Sequence, residues 1–304
     1  MTLPLQTTDV RGIPTKFVYA RGQGGGRPIV FIPGFSMSVE CWSEQLAHFG
    51  RTHPVFSYNW RGMGGTGGTG TEYLVNDLAT DLYVLLRQLG IERPILCGHS
   101  LGGMIAISYA VTYLESFSAL VLVDTSLTSW KQAFSGAAGF GMLGLTRLMA
   151  KIFKWPESRV VAQMAPQSIK QAYTPGFLQS HPGFYEQAVA TFIAGNTLRG
   201  IDLGFMAMAT RQPVAPALHC VTAPSLLVWG TRDTIFTREQ MERIRTAFVT
   251  DSWNHRPAKT LERPPPPLVE IPDAGHCSFQ EQPGRFNEAL GAFLRQHALA
   301  PAGP

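Results

Sequence analysis

A serine hydroxyl becomes a nucleophile at neutral pH only when a base takes its proton and a third group orients that base. Ser100 stands where such chemistry is built, because Gly98-His99-Ser100-Leu101-Gly102 fits G-x-S-x-G. Arg93-Pro94-Ile95-Leu96-Cys97 before it reads as a short buried strand, and Met104–Ala110 after it as a buried helix. A serine on a sharp strand-to-helix turn sits in a strained backbone with its hydroxyl held out of the sheet. Glycines two residues to either side suit that turn, since any side chain there would crowd it. The pentapeptide alone recurs by chance; strand, motif and helix in register give it weight.

The partners of Ser100 should follow it in the order acid, then histidine, each at a strand end. Of the eight histidines only His276 directly follows a late apolar strand, in Val269-Glu270-Ile271-Pro272-Asp273-Ala274-Gly275-His276. His99 is a sequence neighbour of the serine and is read as structural; His297 lies in the last helix. Asp233, three residues beyond Leu226-Leu227-Val228-Trp229-Gly230, is favoured as the acid over its rival Asp124, which ends Leu120-Val121-Leu122-Val123. An oxyanion formed on attack needs two preorganised N–H donors. The amide of Leu101 is one candidate. The other lies in Pro33-Gly34-Phe35-Ser36; Pro33 has no N–H, so Phe35 is the natural donor. Cys277, beside His276, is read as a packing residue, because sequence neighbours seldom meet face to face.

These residues need a scaffold of strands ending on one edge. Apolar runs at Lys16–Tyr19, Pro28–Ile32, Val55–Trp60, Pro94–Gly98, Ala119–Asp124, Ser225–Gly230 and Leu268–Ile271 alternate with helical stretches at Val39–Phe49, Val75–Leu89, Gly103–Tyr113, Arg238–Phe248 and Gly284–Gln296. Continuous apolar strands separated by helices predict an α/β fold with a mostly parallel central sheet flanked by helices. The chain has 304 residues, 45% hydrophobic and 15% charged, enough for a large core. No apolar run approaches the ~20 residues of a membrane span. Met1–Leu5 lacks the basic-then-apolar pattern of a secretory signal, so a cytoplasmic protein is expected. Cys41, Cys97, Cys220 and Cys277 are widely spaced, which indicates free thiols and neither a disulfide framework nor a zinc site.

The alternation breaks between Thr125 and Leu218, a stretch that looks helical and carries a net charge of +5, against −1 for the rest of the chain. Core over residues 1–126 and 219–304 with a helical lid over 127–218 is the predicted organisation. Leu145, Leu148, Met149 and Ile152 fall on one helical face; Arg147, Lys151 and Lys154 fall on the other. The basic face is expected mainly to be solvated. As a docking face it would suit an acidic carrier protein or an anionic membrane surface; nucleic acid is not an expected partner. The aromatic and methionine side chains of this segment predict an apolar, adaptable pocket, with Phe35, Met142 and Phe205 as its substrate-binding candidates.

Two other segments invite misreading. Gly62-Met63-Gly64-Gly65-Thr66-Gly67 matches G-x-G-x-x-G, but it does not open a helix and no strand-end acid follows at the right distance. A mobile loop at the rim of the site is the expectation there, without a cofactor. Pro264-Pro265-Pro266-Pro267, inside an insertion spanning 251–267, reads as an extended spacer.

Taken together the chain resembles the α/β-hydrolase superfamily, in particular its lid-bearing serine esterases. The resemblance rests on Gly98-His99-Ser100-Leu101-Gly102-Gly103, on Gly230-x-x-Asp233, on Gly275-His276-x-x-x-x-Glu281-x-Pro283, and on Arg61-Gly62-Met63-Gly64-Gly65-Thr66. It implies the α/β-hydrolase fold and acyl transfer without a metal or organic cofactor. Pro33-Gly34 stands where the family usually has His-Gly, and Asn59 where it usually has aspartate. Serine at the nucleophile position disfavours haloalkane dehalogenase and epoxide hydrolase readings, since those relatives use a carboxylate. The expected activity is hydrolysis of a hydrophobic carboxylic ester through an acyl-enzyme. Thioesterase, lactonase, perhydrolase or carbon–carbon hydrolase chemistry on the same triad, and a non-catalytic ligand receptor, are the alternatives.

Overall fold

A computed structural model describes residues 3–22, 24–68, 70–127, 154–210, 214–251 and 259–300. Its centre is an eight-stranded sheet. The strands are β1 (Gln6–Val10), β2 (Ile13–Ala20), β3 (Ile29–Ile32), β4 (Val55–Tyr58), β5 (Ile95–His99), β6 (Ala119–Val123), β7 (Ser225–Gly230) and β8 (Leu268–Ile271). Their spatial order is β1-β2-β4-β3-β5-β6-β7-β8. All neighbours from β4 to β8 are parallel; β1–β2 and β2–β4 are antiparallel.

The apolar runs divide their side chains between two faces. Val30, Ile32, Leu96, Leu120, Leu122 and Leu227 join one core cluster, under α2 (Val75–Gln88), α3 (Leu101–Thr112) and α8 (Arg238–Val249). Ile29, Phe31, Ile95, Cys97, Val121, Val123, Leu226 and Val228 join the other, under α1 (Ser43–Phe49), the short α9 (Ser278–Glu281) and α10 (Pro283–Gln296). Burial on both faces is why these strands read as unbroken hydrophobic runs rather than as alternation.

Several elements differ from the sequence reading, and three of the differences have a clear local reason. β1 is new: its Gln6-Thr7-Thr8-Asp9 is an exposed edge with no apolar signal. It is made a strand by the two-residue turn Arg11-Gly12, both at positive φ (54° and 81°), which closes a hairpin on β2. β3 begins at Ile29 rather than Pro28, since proline cannot donate to a ladder. α3 begins at Leu101, directly after Ser100, not at Gly103.

Between β6 and β7 the described residues form helices α4 (Glu157–Ala172), α5 (Pro175–Ser180), α6 (Pro182–Gly195) and α7 (Leu198–Ala209). Met142 and the amphipathic stretch 145–153 lie outside the described residues. The glycine-rich segment is not the mobile rim expected. Gly62 N donates to Gly67 O at 2.8 Å, Thr66 Oγ1 accepts from Lys16 N at 3.0 Å, and Arg61 is held by Asp81 through two bonds of 2.6 Å. α7 lies so close that a Cβ on Gly200 would meet Gly62 O at 2.2 Å. Among the described residues, none from 61 to 68 lines the cavity above Ser100.

Asn59, the departure from the usual aspartate, is buried and bridges two loops. Its Oδ1 accepts from Val39 N at 2.8 Å and its Nδ2 donates to Gly64 O at 2.9 Å. An amide can do both; a carboxylate can only accept. Asn59→Asp should therefore lower the urea midpoint by the equivalent of about 1–3 kcal/mol at neutral pH. An unchanged midpoint would contradict this role for the amide.

Candidate active site

β5 delivers Ser100 into a backbone conformation of φ 53°, ψ −118°. The turn closes because two glycines let backbone touch backbone. A Cβ on Gly98 would lie 2.3 Å from Gly102 O, and one on Gly102 would lie 2.2 Å from Ile32 O. The next strand holds the turn in place: Ser100 N donates to Val123 O at 3.0 Å, and Thr125 Oγ1 donates to Ser100 O at 2.6 Å.

β7 and β8 bring in the other two residues. Asp233 Oδ2 lies 2.9 Å from His276 Nδ1, with the carboxyl group fully buried and the ring 7% exposed. Asp233 Oδ1 accepts from Ile235 N at 2.7 Å and Phe236 N at 3.0 Å, so one oxygen anchors the loop and the other meets the ring. A carboxylate cannot donate, so Nδ1 carries the proton and Nε2 of neutral His276 keeps a free lone pair. Burial disfavours the charged ring. The charge of Asp233, its hydrogen bond and the charge of Asp124 outweigh this, and the His276 pKa rises above its ordinary 6.5.

The two other candidates beside this pair are braces. His99 is buried; its Nε2 donates to His276 O at 2.8 Å, and burial, with the charge of His276, holds its pKa well below the usual range. Asp124, the rival acid, is turned away from the imidazole. It accepts from Gly230 N (2.8 Å), Ser278 N (3.2 Å) and Ser278 Oγ (2.6 Å). Burial, then repulsion from Asp233, pushes its pKa up to about 8. Gly230 lies three residues before Asp233 and Ser278 two after His276, so Asp124 ties the acid loop to the histidine loop. Only the pairing of β6 with β7 reveals this; nothing in the local sequence of Asp124 separates a brace from a catalytic acid. Cys277 is buried and burial pushes its thiol up, which fits a packing role.

Ser100 and His276 open into a cavity of about 960 Å³ between the sheet edge and α4–α7. Phe35 and Phe205, two of the substrate-binding candidates, both line it, edge to face at 5.5 Å. The wall is more mixed than the sequence suggests. Met37, Ile201, Met208 and Ile235 are joined by Gln163, Gln167 and Gln171 from one face of α4, and by Glu40 and Glu44. Among the described residues, neither Phe35 N nor Leu101 N is engaged in a hydrogen bond. Asn196 Nδ2 donates to Ser36 O at 3.1 Å, tying the insertion to the Phe35 loop, a link no sequence signal announces.

Residues 29–289 match the model of the family described as "Alpha/beta hydrolase family". The chain belongs to this family. Among curated proteins, 3-oxoadipate enol-lactonase 2 of Acinetobacter baylyi is 25% identical over 275 residues, 90% of this chain and 91% of that relative. Epoxide hydrolase 4 of Mus musculus is 23% identical over 301 residues, covering 92% and 77% of the two chains. Among solved structures, the enol-lactonase from Burkholderia xenovorans superposes with a TM-score of 0.77 at 18% identity, over 95% of this hydrolase and 100% of that chain. A thermophilic esterase from Thermogutta terrifontis gives 0.76 at 23%, over 96% and 97%. These structures share the fold. Among the described residues of the hydrolase, no helix is long and apolar enough to cross a membrane.

The raised His276 pKa has a measurable sign. Its charged pair with Asp233 stabilises the fold fully below about 6.5 and ceases to do so as pH rises through the elevated value. Asp233→Asn should lower the His276 titration midpoint in a 1H–13C NMR series. The stability gap between the two proteins should be wider at about pH 5.5 than at about pH 9. Equal midpoints would show that the carboxylate does not set the ring's basicity.

Proposed function

We propose that this chain is a serine hydrolase of carboxylic esters, with Ser100 as nucleophile, His276 as base and then acid, and Asp233 as the group that orients His276. The observation that carries the reading is His276, held by Asp233 at 2.9 Å, lining one cavity with a strained Ser100. His276 Nε2 takes the Ser100 proton as Oγ attacks the ester carbonyl. The unengaged N–H groups of Phe35 and Leu101 receive the charge that develops on the carbonyl oxygen. The imidazolium, stabilised by Asp233, returns the proton to the departing alcohol. A water deprotonated by His276 then attacks the acyl-enzyme, releases the acid and restores Ser100. Phe35, Phe205 and Ile235 favour an apolar group next to the scissile bond, while the glutamines of α4 accommodate a polar end farther out.

A lactone is a cyclic ester and needs the same groups. The match to a relative named as an enol-lactonase, over 90% of this chain, makes a lactone the second substrate class to test.

Hydrolysis of a short-acyl p-nitrophenyl ester, a matched thioester and a matched lactone tests the reading. The native protein should turn over the ester, and Ser100→Ala should lower kcat on the order of 10⁴-fold or more. No turnover of any of the three, or equal turnover by Ser100→Ala, would overturn it.

A further inference from the structure

The motif around His276 contains an acid, Glu281, that the proposed chemistry does not use. Glu281 is buried, and both its oxygens are engaged. Oε1 accepts from Gly275 N at 3.0 Å and Thr174 N at 3.1 Å, and Oε2 accepts from Thr174 Oγ1. Gly275 is the residue before His276. Thr174 is the elbow between α4 and α5, in the helical insertion. On the other side of His276, Cys277 N donates to Ala172 O, in the same elbow, at 3.2 Å. Tyr173, between Ala172 and Thr174, donates its hydroxyl to Gln280 Oε1 at 2.6 Å.

The backbone N–H groups flanking His276 are thus spent on the insertion, or on the carboxylate that grips it. The core reaches this loop through Asp233 on the ring, His99 on the His276 carbonyl, Arg232 N on Ala274 O and Asp124 on Ser278. Bonds to a buried carboxylate are short and about twice as strong as neutral ones. A Cβ on Gly275 would fall 2.7 Å from Glu281 Oε1 and 3.2 Å from Thr174 N, so elbow, carboxylate and loop are in direct contact.

We propose that Glu281 is a positioning residue that makes the α4–α5 elbow part of the scaffold of His276, so that the insertion holds the imidazole in register with Ser100 as well as covering the cavity. This inference rests on the triad reading above. It also accounts for both ends of Glu281-x-Pro283, since Pro283 starts α10 and Glu281 spans the gap between core and insertion.

Glu281→Gln keeps the shape. Its amide oxygen accepts from both N–H groups, and its NH2 faces Thr174 Oγ1, which turns to accept. Glu281→Ala removes the clip. Both are compared with the native protein in p-nitrophenyl butyrate turnover per active site, counted with a fluorophosphonate titrant. Backbone exchange of residues 272–282 is followed by mass spectrometry on the same samples. Glu281→Ala should lower kcat roughly tenfold to a hundredfold, with KM changed by less than about threefold. Its exchange at Gly275 and Cys277 should accelerate, and Glu281→Gln should recover kcat to within about threefold of native. Native kcat per titrated site in Glu281→Ala, or unchanged exchange at those two residues, would overturn the proposal. If Glu281→Ala does not fold, Thr174→Val removes one bond of the clip, and a kcat equal to native in that variant is the overturning result. A native protein that neither hydrolyses the ester nor reacts with the fluorophosphonate would count against the triad reading instead. The exchange comparison still reads the clip in that case, because it needs no turnover.

Discussion

The structure depends on one constraint: Ser100 must keep a backbone conformation that costs on the order of 1–3 kcal/mol and that a side-chain-bearing residue adopts only under compulsion. The compulsion is local. Gly98 and Gly102 let the strand, the turn and the start of α3 press together, with Ile32 O against the Cα of Gly102. β3 and β5 must be parallel neighbours for that contact to exist. The same adjacency brings the loop after β3, with Phe35, to the serine. The strain, the sheet order and the proposed oxyanion donors are therefore consequences of a single packing arrangement.

The end of β6 extends that arrangement to the other two residues. Val123, Asp124 and Thr125 are consecutive, and between them they bond Ser100 on both sides of its peptide, the start of the Asp233 loop, and the loop after His276. Asp124 and Asp233 make the division of labour plain. Both are buried carboxylates, yet one gives an oxygen to the imidazole while the other gives both to braces. Close enough to repel, they cannot both be charged at little cost. Burial, and then the neighbouring Asp233, raise the Asp124 pKa to about 8, while the hydrogen bonds of each carboxyl group fix which of the two faces the ring.

Much of this is legible in the chain. Strands buried on both faces, one glycine-flanked serine, and one histidine at a late strand end are properties of short segments, so Ser100, His276 and the parallel sheet can be read without coordinates. Asp233 over Asp124 is a preference that the sequence cannot argue from contacts, because both end apolar strands; the direction of each carboxylate is a tertiary fact. The strand at Gln6–Val10 escapes because an exposed edge has no apolar pattern to show. The bonds of Glu281 and Asn196 to partners 107 and 160 positions away leave no local trace at all. The polar share of the cavity wall is hidden for a related reason. Gln163, Gln167 and Gln171 lie on one helical face, but only the placement of α4 says that this face looks into the cavity.

The proposed catalysis is covalent: the acyl group passes through Ser100 Oγ, oriented by an imidazole that Asp233 and the loops around it hold in place. Rapid quenching after mixing with p-nitrophenyl butyrate, followed by peptide mass spectrometry, reads this directly. The expected result is a transient butyryl adduct on the peptide that carries Ser100, absent from Ser100→Ala and accumulating in His276→Ala no faster than the uncatalysed rate. An adduct on Cys277 or on a carboxylate, or turnover with no adduct on Ser100 at any time, would contradict it.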